Sequence, residues 1–324
     1  MPACLPACLL ATCHKCTWCT CILCAHAVTH TDACVPCQWS RCCSKDGYVK
    51  ILEGPGSRPS IVDPSGTKTF LAYDSLASEL ANTSLSLLQS RSLFAGEYSD
   101  VLREAIRSTE RLSKVLANAS LATVPENRKV ASALDSQLRM IAKLIKLDTG
   151  TYKRERAAFV ATMPGYDTHN GINLNGKFRS MDTALMHLVA ELKDQGVWNN
   201  TMIVAVSEFG RSLTSNTLGG TDHGWGGHYF VLGGGVRGGQ ILGRYPHQFA
   251  TVMDSYGKLE PTTSWEALWS GVGEWMGLDA AQRAKVLPNA ANFPEADLFT
   301  AEQLTSNYAS EGGDAGEPGG AGEV

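Results

Sequence analysis

The chain has 324 residues, a hydrophobic content of 44% and a formal net charge of -4. It is long enough to bury a core as one large domain or two small ones. Its Lys and Arg residues are scattered and form no basic stripe that could neutralise a run of phosphates, so we expect no nucleic-acid partner. No stretch of about 20 uncharged apolar residues occurs, which excludes a membrane-spanning helix on length.

Cysteine divides the chain into two compositions. All 11 cysteines lie between Cys4 and Cys43, in a head with several Cys-x-x-Cys pairs. This spacing lets two thiolates face one zinc ion, and histidines of the same segment could complete a site. Such a biased composition also produces overlapping pairs by chance, and no regular second half fixes a ligand set. We therefore expect a poorly structured head; whether the chain is secreted or cytosolic stays open.

Proline and glycine mark the end of this head. Three prolines and two glycines between residues 47 and 66 form a turn-rich link, so we place a domain boundary near residue 66. Residues 1–66 are then the Cys-rich head with its link, and residues 67–308 form an α/β domain. Residues 309–324 are rich in Gly and Glu and are expected to be a disordered tail.

Hydrophobic periodicity predicts alternating helices and strands in the α/β domain. The predicted elements, in chain order, are helices with apolar stripes over 71–87, 101–115 and 134–145, a strand at 157–163, a helix over 181–192, strands at 201–206 and 229–232, and a helix capped by Ser264. The strands at 157–163 and 201–206 are continuous apolar runs, which is typical of strands covered on both faces. A strand, a helix and a strand in succession predict a parallel pair. We therefore expect an α/β fold with a mostly parallel central sheet flanked by helices.

Polar loops follow the predicted strands. In parallel α/β sheets, ligands collect beyond the carboxyl ends of the strands. Side chains that could hold a divalent ion occur in three of these loops: Asp167 with His169, Glu208, and Asp222 with His223. Zinc tolerates this mixed set, and manganese or magnesium would accept the carboxylates, so the identity of the ion stays open. Each loop alone fits ordinary turn chemistry, but three such loops in succession favour a metal site.

Three further polar residues near these loops have alternative interpretations. Arg211 could clamp an anionic substrate oxygen, or pair with a carboxylate such as Glu208 and orient it, and we favour the second role. His228 precedes a strand, where it could be a metal ligand, support a ligand, or simply lie at the strand edge. His187 lies within a helical stripe, so we expect a packed or surface histidine without metal chemistry.

The segments around these loops resemble the family of unknown function called DUF1501, a branch of the alkaline phosphatase and sulfatase superfamily. The resemblance rests on GYDTHN, SEFGR, TDHGWGGHYFVLGGGVRGGQILGRYP, PTTSWEALWSGVGEWMG and LPNAANF, which together cover roughly residues 130–300. It implies an alkaline-phosphatase-like core in which Asp167, His169 and His223 form one metal position and Glu208 belongs to a second. Alkaline phosphatases commonly have a histidine where Phe209 stands. Phenylalanine cannot bind metal, so we expect the second position to be weakened or lost.

The resemblance is incomplete in the first part of the chain. The family usually begins with a Gly-Gly-Asn-Asp-Gly-like loop, and the superfamily's nucleophilic Ser or Thr also lies early in the domain. Neither motif precedes residue 130, so we expect a family member whose first part is truncated or replaced and whose core is incomplete.

The implied function is that of a relative of metal-dependent phosphate or sulfate ester hydrolases that takes a small anionic ester. Because the catalytic nucleophile is missing, we expect this chain to be inactive. The alternative is a non-catalytic, secreted binding or structural protein that keeps the metal loops for rigidity. A third hypothesis makes the Cys-rich head a zinc-binding interaction module.

Overall fold

A computed structural model of the chain describes residues 19–27, 40–43, 60–63, 66–67, 79, 93–124, 129–152, 156–246 and 253–306. The helices are α1 (Leu93–Ala117), α2 (Ala133–Leu147), α3 (Asn175–Asp194), α4 (Trp265–Trp275), α5 (Ala280–Val286) and α6 (Ala301–Leu304). The strands are β1 (Cys19–Ala27), β2 (Ser40–Cys43), β3 (Ser60–Asp63), β4 (Gly66–Thr67), β5 (Arg156–Pro164), β6 (Thr201–Ser207), β7 (Gly210–Arg211), β8 (His223–Gly224) and β9 (Phe230–Gly233).

The helices begin where the sequence supplies caps. The Ser132 side chain accepts a hydrogen bond from Asp135 N at the start of α2. Ser264, the predicted cap, accepts one from Ala267 N at the start of α4. Asp279 forms a capping box with Gln282 at the start of α5. Local sequence therefore determines where these helices start.

Seven strands form one mixed sheet in the order β4-β3-β2-β5-β1-β6-β9. Strand β2 pairs in parallel with β3 and β5, whereas β1 pairs antiparallel with both β5 and β6. Strands β5 and β6 therefore run in the same direction, as the strand-helix-strand pattern predicts, but β1 separates them. Strand β9 pairs antiparallel with β6. A mostly parallel, alkaline-phosphatase-like core stays a prediction.

Part of the Cys-rich head lies inside this sheet. The backbone of Cys19–Ala27 pairs with β5 on one side and with β6 on the other. The physical reason for this pairing is that two buried apolar strands need backbone partners along their edges. Our expectation of a poorly structured head stays a prediction. The boundary near residue 66 stays a prediction. The cysteine side chains and the tail at 309–324 lie outside the described part of the chain.

Helices cover both faces of strands β5 and β6. Phe159 and Ile203 pack in one hydrophobic cluster with Ile141 of α2 and Leu188 of α3. Their sequence neighbours Val160, Met202 and Val204 face the opposite cluster, together with Leu268, Trp269 and Val272 of α4. The alternation follows from the two-residue period of a strand. Burial on both faces explains why these two strands read as continuous apolar runs.

A transmembrane helix is absent from the part of the chain that the structure describes, since no helix there is both long and apolar enough. This agrees with the absence of a long uncharged run in the sequence.

Candidate metal site

Two irregular loops bring the predicted ligands together. Strand β5 ends at Pro164, and Gly165 turns the chain with a φ of 95°, which a residue with a Cβ atom rarely adopts. The next residues carry Asp167 and His169. Strand β6 ends at Ser207, and the chain then forms the short antiparallel pair β7 and β8, which sets Arg211 opposite His223. His223 therefore reaches the site by this hairpin-like return.

Asp167, His169 and His223 converge on one point. Asp167 Oδ1 lies 2.9 Å from His169 Nε2 and 3.1 Å from His223 Nε2. The three potential ligand atoms lie within 4.8 Å of one another. A tetrahedral zinc ion with bonds of about 2.0–2.1 Å sets its ligands roughly 3.3 Å apart, close to the observed spacing.

This donor set suits a divalent cation. Zinc accepts a set of one hard carboxylate oxygen and two borderline imidazoles, and the carboxylate also suits manganese. Both histidine side chains are partly exposed, at 40% for His169 and 43% for His223, so the cluster is open to solvent on one side. Three protein ligands with an accessible further position are typical of catalytic rather than purely structural zinc sites.

Asp222 contacts the ring nitrogen of His169 that does not face Asp167. Its Oδ1 lies 3.2 Å from His169 Nδ1, so the imidazole ring lies between two carboxylates. Hydrogen bonds from Asn216 and then from His169 lower the pKa of Asp222 below its usual value. A carboxylate behind a metal-binding histidine fixes the orientation of the ring. The structure therefore gives Asp222, which we predicted as a ligand, a supporting position.

Arg211 pairs with Asp167 and Thr221. Its Nη1 lies 2.5 Å from Asp167 Oδ1, its Nε donates to Thr221 Oγ1 at 2.9 Å, and its Nη2 donates to the Thr221 carbonyl oxygen. The predicted pairing of Arg211 with a carboxylate occurs, although this carboxylate is Asp167. The contacts orient both side chains, while substrate binding by Arg211 stays a prediction.

Glu208 and His228 are not among the three clustered donors. Glu208 follows β6 and is exposed. Burial raises the pKa of Tyr229 above its usual value, and the negative charge of Glu208 adds to this shift. The His228 ring is also exposed and stacks on Tyr245, with ring centroids 5.4 Å apart. The structure thus brings together three predicted ligands and a fourth residue behind them.

Phe209 presents a flat ring rather than a ligand atom. It stacks on His223 with ring centroids 3.8 Å apart and an interplanar angle of 10°. The Arg211 guanidinium carbon lies 5.8 Å from the centroid of the Phe209 ring. Phe209 thereby holds the imidazole of His223 from one face.

Asn216 and Gly220 were not identified from the sequence. Asn216 Nδ2 donates to the His169 carbonyl oxygen at 3.0 Å and to Asp222 Oδ1 at 3.1 Å, and Asn216 Oδ1 accepts from Leu218 N and Gly220 N. A Cβ atom on Gly220 would lie 2.2 Å from the His169 carbonyl oxygen, so only glycine fits there. Asn and Gly signal a turn in the sequence, but their contacts with His169 depend on the fold.

Residues 141–284 match the model of the family described as "Protein of unknown function (DUF1501)". The matched segment contains the whole metal-ligand cluster and its supporting residues. The match supports the resemblance that the sequence motifs indicate for this part of the chain. No curated protein and no solved structure matches the chain.

Proposed function

We propose that Asp167, His169 and His223 form a one-metal site in a domain related to metal-dependent hydrolases of phosphate and sulfate esters. The observation that carries this proposal is the convergence of the three donor atoms within 4.8 Å. A bound divalent ion, zinc or manganese, would neutralise the charge of an anionic ester group. Neighbouring residues of the chain orient the two imidazole ligands: Asp222 fixes the ring of His169, and Phe209 fixes the ring of His223.

Arg211 is the cationic group nearest to this site on the same hairpin. Its three donor groups are directed at Asp167 and Thr221, which fixes the guanidinium plane beside the ligands. A fixed guanidinium recognises planar anions better than a flexible ammonium does. We therefore propose that a small anionic ester binds at the cluster with its charge facing Arg211.

Hydrolysis by this chain is expected to be at most trace. Covalent catalysis in the superfamily needs a nucleophile, and its motif is absent before residue 130. Phe209 supplies no second metal ligand. Ser207 and Thr168 are the first candidates by position for another nucleophile. The Ser207 carbonyl oxygen accepts a hydrogen bond from Tyr229, and the Thr168 hydroxyl lies 3.5 Å from that of Thr221. We propose binding of metal and anion without efficient turnover.

Calorimetric titration of the full chain with Zn²⁺ and Mn²⁺ tests the metal site. The wild type is expected to bind one ion at the cluster, apart from any zinc that the cysteines of the head take up, and His223→Ala is expected to weaken binding at the cluster at least about a hundredfold through loss of a ligand. The matched control is His228→Ala, a histidine outside the cluster, which should bind like the wild type. Equal affinities for wild type and His223→Ala would refute the site.

Activity is measured on aryl phosphate and aryl sulfate esters with each metal, beside Glu208→Ala. Turnover that exceeds the uncatalysed rate by at most about 10³- to 10⁴-fold is expected, since removal of a catalytic nucleophile typically leaves that much. Efficient turnover that Glu208→Ala abolishes would contradict the inactive assignment and point to a two-metal site.

A second candidate function is a non-catalytic binding or structural role without metal. The observation that favours it is the direct contact of Arg211 with Asp167, which gives this carboxylate a counter-charge within the chain. Thermal melting distinguishes the two functions. An ion that binds only the folded state at a hundred times its Kd adds about 2.7 kcal/mol of stability. An unchanged Tm in saturating Zn²⁺ and Mn²⁺ would favour the structural role.

A further inference from the structure

Two exposed aromatic rings and a lysine lie together beside the metal-ligand cluster. Lys258 Nζ lies 5.9 Å from the centroid of the Trp225 ring and 5.6 Å from that of the Tyr256 ring. Trp225 is 60% exposed and Tyr256 is 73% exposed. Large rings usually bury most of their surface, and neighbouring exposed rings often mark a binding surface. We refer to Trp225, Tyr256 and Lys258 as the ring platform.

A rigid turn holds the lysine and the tyrosine of the platform. The Asp254 side chain accepts from Tyr256 N at 2.9 Å and from Lys258 N at 2.8 Å. Gly257 has a φ of 77°, and a Cβ atom there would lie 2.3 Å from Thr214 Oγ1. The turn is therefore closely packed against the loop that follows β7.

The ring platform is joined directly to the cluster. Trp225 follows His223 by two residues, so their Cα atoms lie at most about 7.6 Å apart, twice the spacing of consecutive Cα atoms. Gly226 N donates to the Leu259 carbonyl oxygen at 2.9 Å, which ties the residue after Trp225 to the residue after Lys258. An ester bound at the cluster would therefore have its alcohol part within reach of the platform.

Lys258 supplies the one positive charge of the ring platform, and the Asp254 carboxylate of the same turn is hydrogen-bonded to backbone N–H groups. Among the residues that the structure describes, none forms a salt bridge with the Lys258 ammonium group. The rings hold this ammonium group by cation–π contacts, which leave its N–H groups able to donate to an anion. Flat rings favour stacking with another ring, and the ammonium favours a negatively charged substituent on it.

We propose that the ring platform binds the aryl part of an anionic ester, a phosphate monoester whose aromatic ring carries a second negative group such as a carboxylate. The phosphate lies at the cluster, the aryl ring packs against Trp225 and Tyr256, and the carboxylate accepts a hydrogen bond from Lys258. The inference rests on the proposed function, because it assigns the phosphate to the metal and Arg211.

Calorimetry of the Zn²⁺-loaded full chain with three probes tests the proposal. The probes are 4-carboxyphenyl phosphate, phenyl phosphate and methyl phosphate. The wild type is expected to prefer 4-carboxyphenyl phosphate over phenyl phosphate by about tenfold, as one charge-assisted hydrogen bond allows. Phenyl phosphate should in turn bind more tightly than methyl phosphate.

Two variants separate the contributions of charge and ring. Lys258→Gln should lose the preference for the carboxylate and keep that for phenyl over methyl phosphate, whereas Trp225→Ala should lose the preference for the ring. Controls are Lys193→Gln and Met186→Ala, an exposed lysine and an exposed apolar residue of α3. Melting temperatures of all variants show that each is folded.

The outcomes separate the subsite from the metal site. Equal affinities of the wild type for all three probes, or preferences that survive both platform substitutions, would overturn the ring platform. The same loss in the control variants would overturn it as well. Metal binding is measured first without any probe. If the chain binds no metal but still prefers the carboxylated aryl probe, the metal site alone is refuted. If the chain binds metal but lacks this preference, the platform alone is refuted.

Discussion

Phe209 and His223 stack face to face, with ring centroids 3.8 Å apart and ring planes 10° from parallel. Phe209 directly precedes β7 and His223 belongs to β8, and the pairing of Arg211 with His223 brings the two segments together. The contact restricts the imidazole of His223 to one plane and leaves its Nε2 directed at Asp167. A residue that offers no ligand atom thus contributes to the geometry of the ligands.

We predict that Phe209→Ala weakens Zn²⁺ binding by about tenfold, since loss of a group that orients a metal-binding histidine typically costs 10- to 100-fold in affinity. Calorimetric titration gives the affinity. The matched control is Phe94→Ala, whose side chain is 88% exposed on α1 and should leave the affinity unchanged. An unaltered affinity in Phe209→Ala would show that stacking does not position His223.

Arg211→Lys is expected to lower the free energy of unfolding by about 1–3 kcal/mol. Lysine cannot reproduce the planar fork that contacts Asp167 and Thr221 at once, so partly buried acceptors lose their donors. Urea unfolding at neutral pH measures the change. Arg107→Lys, at an exposed position of α1, serves as the control and should lie within about 0.5 kcal/mol of the wild type.

Asn216→Ala is expected to weaken metal binding about tenfold, because the substitution removes the amide that contacts both the His169 carbonyl oxygen and Asp222 Oδ1. Two backbone N–H groups of the same loop also lose their acceptor. Nitrogen NMR of the histidine rings reports whether His169 changes its environment. Asn175→Ala, at an exposed position in the first turn of α3, is the control. An unchanged His169 signal would contradict this role.

A buried polar network between α2 and α3 predicts a pH dependence of stability. Asp135 is fully buried; burial raises its pKa, but hydrogen bonds from Ala131, His187 and Arg139 outweigh this, and the net pKa lies below the usual 3.8. A lowered folded-state pKa means that this stabilisation is complete above about pH 4 and is lost as the pH falls through the folded-state pKa.

Asp135→Asn should therefore cost about 3 kcal/mol at pH 7, because it leaves Arg139 and His187 without their carboxylate. The difference from the wild type should shrink as the pH falls towards 3. Urea unfolding at both pH values measures it, with Asp182→Asn at an exposed position of α3 as the control. A difference independent of pH would mean that the charge of Asp135 does not stabilise the fold.

His187 shows one limit of the sequence interpretation. We expected a packed or surface histidine without chemistry, and it packs: its Nδ1 lies 2.8 Å from Asp135 Oδ1. Its carboxylate partner lies 52 positions earlier in the chain, on a different helix. Helical periodicity gives the face of α3 on which His187 lies, but it contains no information about the opposing side chain.

Local sequence patterns determined the strands β5 and β6, the caps at Ser132 and Ser264, and the polar loops that carry the candidate ligands. These features depend on nearest neighbours: apolar runs form buried strands, and serine side chains cap the first turn of a helix. The motifs around Asp167 and His223 also led from the sequence alone to the family whose model matches residues 141–284.

Only the tertiary structure decided which of the predicted residues meet. It brought Asp167, His169 and His223 to one point, set Asp222 behind them, and left Glu208 outside the donor cluster. It also inserted the backbone of Cys19–Ala27 between β5 and β6. The physical reason is common to these cases. Contacts between residues far apart in the chain depend on how loops fold back and strands pair, which no local propensity specifies.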